Sequence, residues 1–394
     1  MSNNKLTVLG IVAVVMVIWA VVQSRVSSGP PVAVNRITYL IQGLDTDDIG
    51  SIIIGTGDKA VILKRQGGRF VVVNKDDYPA KTSEVNSLIS DCLGIQTSEF
   101  VTDNPENQDA LEVTEQKARM VIKFMTPEPN SVLLAGIAVG KTKEVGQGTY
   151  VRLLSSDSSM NSNVYISQNI PWFSDQPNNY IEQELVSVKR DDIESVTVSS
   201  PDGKYVLKPV PDSQDVVLEN LPVGKKLKSS EAKSVFSALS SLRFEDVTKN
   251  SSDLEFNRQY VCRLKNSTEY TLNIAVKDDK TYLTCSATFT EGRPGKSNTV
   301  ETEDELKAKE AKLLADDKAR EFTAAHQGWV YEIADWKAKN LKMPLSDLVE
   351  DESQPQETNV AEGTNEAESM QKPAQMNTGQ VLPDANVPDS NSTK

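Results

Sequence analysis

Asp47-Asp48-Ile49-Gly50-Ser51-Ile52-Ile53-Ile54 returns, 144 residues on, as Asp191-Asp192-Ile193-Glu194-Ser195-Val196-Thr197-Val198. Four identities in eight carry little weight alone. Two further matches follow in order. Ala60-Val61-Ile62-Leu63-Lys64 aligns with Lys204-Tyr205-Val206-Leu207-Lys208 at the same offset of 144. Ser83-Glu84-Val85-Asn86-Ser87-Leu88-Ile89-Ser90 aligns with Ser230-Glu231-Ala232-Lys233-Ser234-Val235-Phe236-Ser237 at 147. A drift of three residues is one small loop insertion. Ordered matches at a steady offset read as one module built twice.

In the first copy, Ile49–Thr56, Ala60–Arg65 and Arg69–Asn74 are short β-rich runs divided by Gly-containing turns, and Tyr78-Pro79 ends the meander. A helix is expected from Ser83 to Gly94. Val85, Leu88, Ile89, Cys92 and Leu93 form its apolar stripe, Ser83 can cap its start and Gly94 can stop it. Strands are expected at Ala118–Met125, Val132–Val139, Thr149–Leu154 and Asn163–Ser167. The second copy repeats the series. Its helix from Ser230 carries Ala232, Val235, Phe236, Leu239 and Leu242, and strands follow at Tyr260–Leu264, Tyr270–Val276, Thr281–Thr288 and Val330–Ile333. A tryptophan follows each closing strand, Trp172 and Trp336. The second copy also holds a charged insertion, 292–327. Thr302-Glu303-Asp304-Glu305 there is a capping box for a helix over Glu303–Ala325, expected to lie solvated on the domain.

The uncharged run Leu6–Val22 rises ~26 Å as a helix, just short of a bilayer's ~30 Å hydrocarbon core. The rival reading, a cleaved signal peptide, lacks a small-x-small site at the end of the run. The expected fold class is therefore α+β: two tandem homologous repeats, each an antiparallel β meander with one packed helix, after an N-terminal transmembrane helix. The expected boundaries are a cytoplasmic N-terminus 1–5, a transmembrane anchor 6–23, a linker 24–44, a first repeat 45–188, a second repeat 189–349 and a disordered acidic tail 350–394. That tail holds nine carboxylates against two lysines, half of the chain's net charge of −14, and too few large apolar residues to offset its ordering entropy. Acidity without a dense Lys/Arg run argues against nucleic acid, whose phosphates demand neutralising. The short amino end is expected inside and the long acidic chain outside, which places the folded part on the extracytoplasmic side; for a bacterial inner membrane that side is periplasmic.

One histidine and three cysteines limit metal and nucleophile chemistry. Gly136–Thr142 and Gly292–Ser297 approach a phosphate-loop pattern but lack its first glycine, and the former leads into a hairpin rather than a helix, so no nucleotide site is assigned. Asp45–Gly50 resembles the start of a calcium loop without the twelfth-position glutamate, and a turn-capping aspartate accounts for it better. Cys92 reads as a core residue, matched by Leu239. Cys262 and Cys285 lie on strands of one meander, and whether they are bonded stays open. His326 has no Ser or Cys in a tight-turn motif to serve. No catalytic, cofactor-binding or metal residue is assigned, and no cofactor.

Arg69-Phe70-Val71-Val72-Val73 leads to Tyr78-Pro79-Ala80 and a Val85-x-x-Leu88-Ile89 helix. Val139-Gly140-Lys141 is followed by Gly148-Thr149-Tyr150-Val151-Arg152 and Val164-Tyr165-Ile166, and Gly328-Trp329-Val330-Tyr331-Glu332-Ile333 closes the series. Together these resemble the family catalogued as domain of unknown function 4340, over roughly Asp45–Val349. That family brings no established activity and no catalytic residues. Its members often stand beside ABC-type exporters of the gliding-motility kind, which implies an auxiliary role in the envelope with a transporter permease as protein partner. The expected function is thus a non-enzymatic, membrane-anchored binding or scaffold protein. The alternatives are a carboxylate-based envelope glycan hydrolase and a small-ligand module using the groove between the repeats.

Overall fold

The computed structural model describes residues 38–156, 161–249, 252–291 and 302–352. The expected anchor, most of the linker, Gly292–Ser297 and the tail beyond residue 352 lie outside the described residues. Among those described, no helix is long and apolar enough to cross a membrane.

The structure is α+β, mostly antiparallel sheet with a few helices. In chain order it begins with β1 (Thr38–Tyr39), β2 (Ser51–Ile54), β3 (Val61–Gln66), β4 (Arg69–Val72) and β5 (Tyr78–Pro79). Helix α1 (Thr82–Leu93) follows, then β6 (Gln96–Thr97), β7 (Glu99–Thr102), β8 (Met120–Met125), β9 (Leu133–Thr142), β10 (Thr149–Leu154), β11 (Val164–Ser167) and β12 (Glu184–Val186). Nine of these strands form one sheet in the order β5-β4-β3-β2-β8-β9-β10-β11-β7.

The chain continues with β13 (Ile193–Ser200), β14 (Gly203–Pro209), β15 (Val216–Leu218), β16 (Lys225–Leu227) and α2 (Ser229–Phe236). Then come β17 (Leu242–Arg243), β18 (Asp246–Thr248), β19 (Arg258–Leu264), β20 (Thr268–Lys277), β21 (Lys280–Phe289), α3 (Glu303–His326), β22 (Val330–Ile333), α4 (Asp335–Lys342), α5 (Leu345–Leu348) and β23 (Val349–Asp351). Eight of these strands form a second sheet in the order β15-β14-β13-β19-β20-β21-β22-β18. The short ribbons β1–β6, β12–β17 and β16–β23 complete the set. The segment Glu184–Val186 therefore pairs with the second half of the chain.

The stretch quoted first supplies an interior strand of each sheet. β2 lies between β3 and β8, and β13 lies between β14 and β19. Alternation does the rest: Ile52, Ile54, Val196 and Val198 turn inward and are buried, as a pleated strand with one face on the core requires. The two Asp-Asp pairs sit on 3₁₀ turns just before their strands. Gly50 has a steric reason: a Cβ there would stand 2.3 Å from the Pro127 backbone.

Helix α1 begins at Thr82, so Ser83 lies inside the first turn and does not cap it. Lys81 occupies the cap with no side-chain bond, and its carbonyl accepts from Glu84 and Val85. Helix α2 ends at Phe236, earlier than its apolar spacing implies. Ser237 and Ser240 compete with the helix, the Ser240 hydroxyl donating to the Ser237 carbonyl, and Leu239 and Leu242 are buried beyond its end. Helix α3 has the capping box at Thr302 and Glu305. It packs through Ala315 and Ala319 and covers the part of β21 beyond its β22 partner. There the Thr323 hydroxyl accepts from the Ala287 amide and donates to its carbonyl.

One continuous cluster of buried apolar side chains runs through both halves. At their seam Tyr78 stands edge-on to Trp329, ring centroids 4.9 Å apart, and touches Phe244 and Tyr331. Lys75 pairs with Asp246 at 2.6 Å. Asp76 accepts from the Lys249 amide and the Thr248 hydroxyl, which hold its carboxyl below the usual range.

Candidate functional site

The residues singled out by sequence have structural roles. Gly136–Thr142 lies within strand β9, not in a loop feeding a helix. Gly140 is required there because a Cβ would meet the Leu111 carbonyl oxygen at 2.3 Å. Asp45 caps the 3₁₀ turn at Thr46–Asp48, its Oδ1 accepting from the Asp47 amide at 2.9 Å. Among the described residues no group of three or more His, Cys, Asp or Glu side chains is placed to hold a metal ion.

The three cysteines are free and buried. Strand β20 separates Cys262 from Cys285: Cys262 faces Tyr270, and Leu272 faces Cys285. Burial pushes both of these thiols up to about 12, and raises Cys92 further, so none offers a thiolate nucleophile near neutrality. His326 Nδ1 lies 2.6 Å from the Tyr331 hydroxyl, and its ring packs on Phe322. Burial lowers its pKa to about 4 and raises that of Tyr331, so the pair stays uncharged at neutral pH. It pins the end of α3 to β22.

A different region combines exposure, polarity and a cavity. A cleft of about 430 Å³ opens at the seam, where α1, the segment 172–183 and the β17 residue Arg243 meet. Trp172 stands at its wall with 80% of its surface exposed. That segment is held firmly. The Tyr180 hydroxyl donates to the Ser174 carbonyl, the Asn179 amide donates to the Ser174 hydroxyl, and the Tyr180 carbonyl accepts from the Lys81 amide. Asn178 Nδ2 donates to the Glu245 carbonyl at 2.7 Å across the seam, while its buried Oδ1 has no protein partner.

The charges of the cleft offset one another. Lys81 Nζ lies 3.3 Å from Glu84 and 3.7 Å from Glu182. Arg243 donates to the Gln183 side-chain oxygen at 3.3 Å. Asp91 adds a third carboxylate, which leaves the lining one charge negative.

Trp336 is also bare, at 72% exposure. Lys337 Nζ rests 5.1 Å from its ring centroid and donates to the Ser241 carbonyl, two residues from Arg243. The two indoles thus flank the β12–β17 ribbon. Sequence reading noted both tryptophans as repeat markers. Nothing in the spacing said that they would be uncovered, because exposure depends on what fails to pack over them.

The family model described as Domain of unknown function (DUF4340) matches residues 71–259. Over that span the chain belongs to the DUF4340 family. The DUF4340 span runs from within β4 to within β19 and includes every residue lining the seam cleft. No curated protein and no solved structure matches the chain.

Proposed function

We propose that this chain is a non-enzymatic binding or scaffold protein, anchored by residues 6–23 in a bacterial inner membrane. Its folded part stands on the extracytoplasmic side and serves an envelope complex such as an ABC-type exporter. The observation that carries the proposal is the pair of exposed indoles near the β12–β17 ribbon, Trp172 in the cleft with Arg243 and Trp336 beside Lys337. Tryptophan and arginine are the residues most enriched where proteins bind proteins, and two large indoles left bare in water mark a surface that binds something.

The folded part is read as two homologous repeats. The shared strand order supports this, since β3-β2-β8-β9-β10-β11-β7 and β14-β13-β19-β20-β21-β22-β18 correspond strand for strand. So do the ribbons β1–β6 and β12–β17 and the helices α1 and α2. Binding is favoured over glycan hydrolysis because two of the three cleft carboxylates lie on Lys81, whereas a hydrolase needs one carboxyl kept protonated by an apolar setting.

The test is co-purification of the full-length chain, solubilised from its native membrane, with a transporter permease. The wild-type chain should retain the permease, and Trp336→Ala should lower the yield at least tenfold. A wild-type chain that purifies without a permease would overturn the proposal.

A further inference from the structure

The geometry points to a saccharide site in the seam cleft, with the Trp172 indole as the platform for a neutral pyranose ring. This rests on reading the chain as a binding protein. A pyranose has a face of C–H bonds and a rim of hydroxyls. It is recognised by a flat aromatic surface beside planar polar groups that can accept and donate together.

The cleft has both. Trp172 supplies the aromatic surface, and Asp91, Gln183, Asn178 and Arg243 surround it with a carboxylate, two amides and a guanidinium. The volume of about 430 Å³ is of the size that small-molecule clefts occupy.

Other ligand classes fit less well. An apolar ligand would leave these polar walls desolvated and unpaired. A phosphate or polyanion would meet a lining that is negative on balance, with Lys81 already taken by Glu84 and Glu182. A hydroxylated neutral ligand meets neither obstacle, since its hydroxyls can both donate to and accept from the polar side chains that line the cleft. The segment carrying Trp172 is braced by Ser174, Asn179 and Tyr180, so little ordering is left to be done on binding.

The experiment uses the full-length chain in a polyoxyethylene detergent, which carries no sugar headgroup. The probes are cellobiose and N,N′-diacetylchitobiose, with binding read by saturation transfer from protein to ligand protons. Transfer should appear for at least one probe and be strongest on the C–H protons of one ring face. Trp172→Ala should weaken affinity at least tenfold, and Trp172→Phe should recover part of it. Inorganic phosphate should not displace the sugar. Absence of transfer from the wild-type chain to both probes would overturn the inference, as would undiminished transfer in Trp172→Ala or displacement by phosphate. Sugar binding lost with permease retained would overturn this inference alone. Permease lost with sugar binding retained would overturn only the scaffold role.

Discussion

Gly50 and Glu194 occupy the same place in the echoed stretch, yet one has no side chain and the other is charged. The difference is steric. At Gly50 the neighbouring loop brings Pro127 to within 2.3 Å of where a Cβ would be, whereas Glu194 points outward and pairs with Arg263 at 3.0 Å. Gly50→Ala should therefore destabilise the fold by roughly 1–3 kcal/mol, as overpacking does, and Glu194→Ala by less. Midpoints of urea unfolding at constant m-value measure both. The mismatch is visible in the aligned sequence. Its cause is not, because Pro127 comes from a distant loop that only the pairing of β2 with β8 brings alongside.

Helix α3 shows what local rules capture and what they miss. Thr302 and Glu305 announce its start, and they do cap it. Its other end is fixed by His326, whose partner Tyr331 arrives only because β22 runs beside β21. No spacing rule foretells that meeting, and the early end of α2 was hidden likewise, since serine competition weighs little against a regular apolar stripe.

His326 makes a pH prediction. Its pKa is near 6.5 in the unfolded chain and about 4 in the fold. Between these values the unfolded state binds the proton and the native state does not. Stability is therefore fully present above pH 6.5 and falls as the pH drops toward 4, by roughly 2–3 kcal/mol. It is the chain's single histidine. His326→Gln should thus flatten the unfolding midpoint between pH 6.5 and 5, where the wild type declines. Equal slopes in the two proteins would show that the proton goes elsewhere.

For the molecule as a whole, the antiparallel strands and their helices were legible and the joint between the two sheets was not. Tyr78-Pro79 reads as a stop, since proline ends a meander. In the structure Tyr78 is the plug of the seam, set against Phe244, Trp329 and Tyr331. A core continuous across the seam couples the halves. The described body should unfold in one calorimetric transition with equal calorimetric and van't Hoff enthalpies. Tyr78→Ala should cost about 3–5 kcal/mol and make the van't Hoff value fall below the calorimetric one. Two resolved transitions in the wild-type chain would contradict this coupling.

The ribbon β16–β23 has a consequence for biosynthesis. Lys225 and Asp351, joined at 2.5 Å, stand 126 residues apart. Every strand of the first sheet has been made once Ser167 is made, so that sheet can assemble while the ribosome is still translating. The second half closes only after residues 349–351 emerge. Until then the β16 backbone lacks its partner, and a nascent chain stalled before that point would hold a finished first sheet beside an open second one.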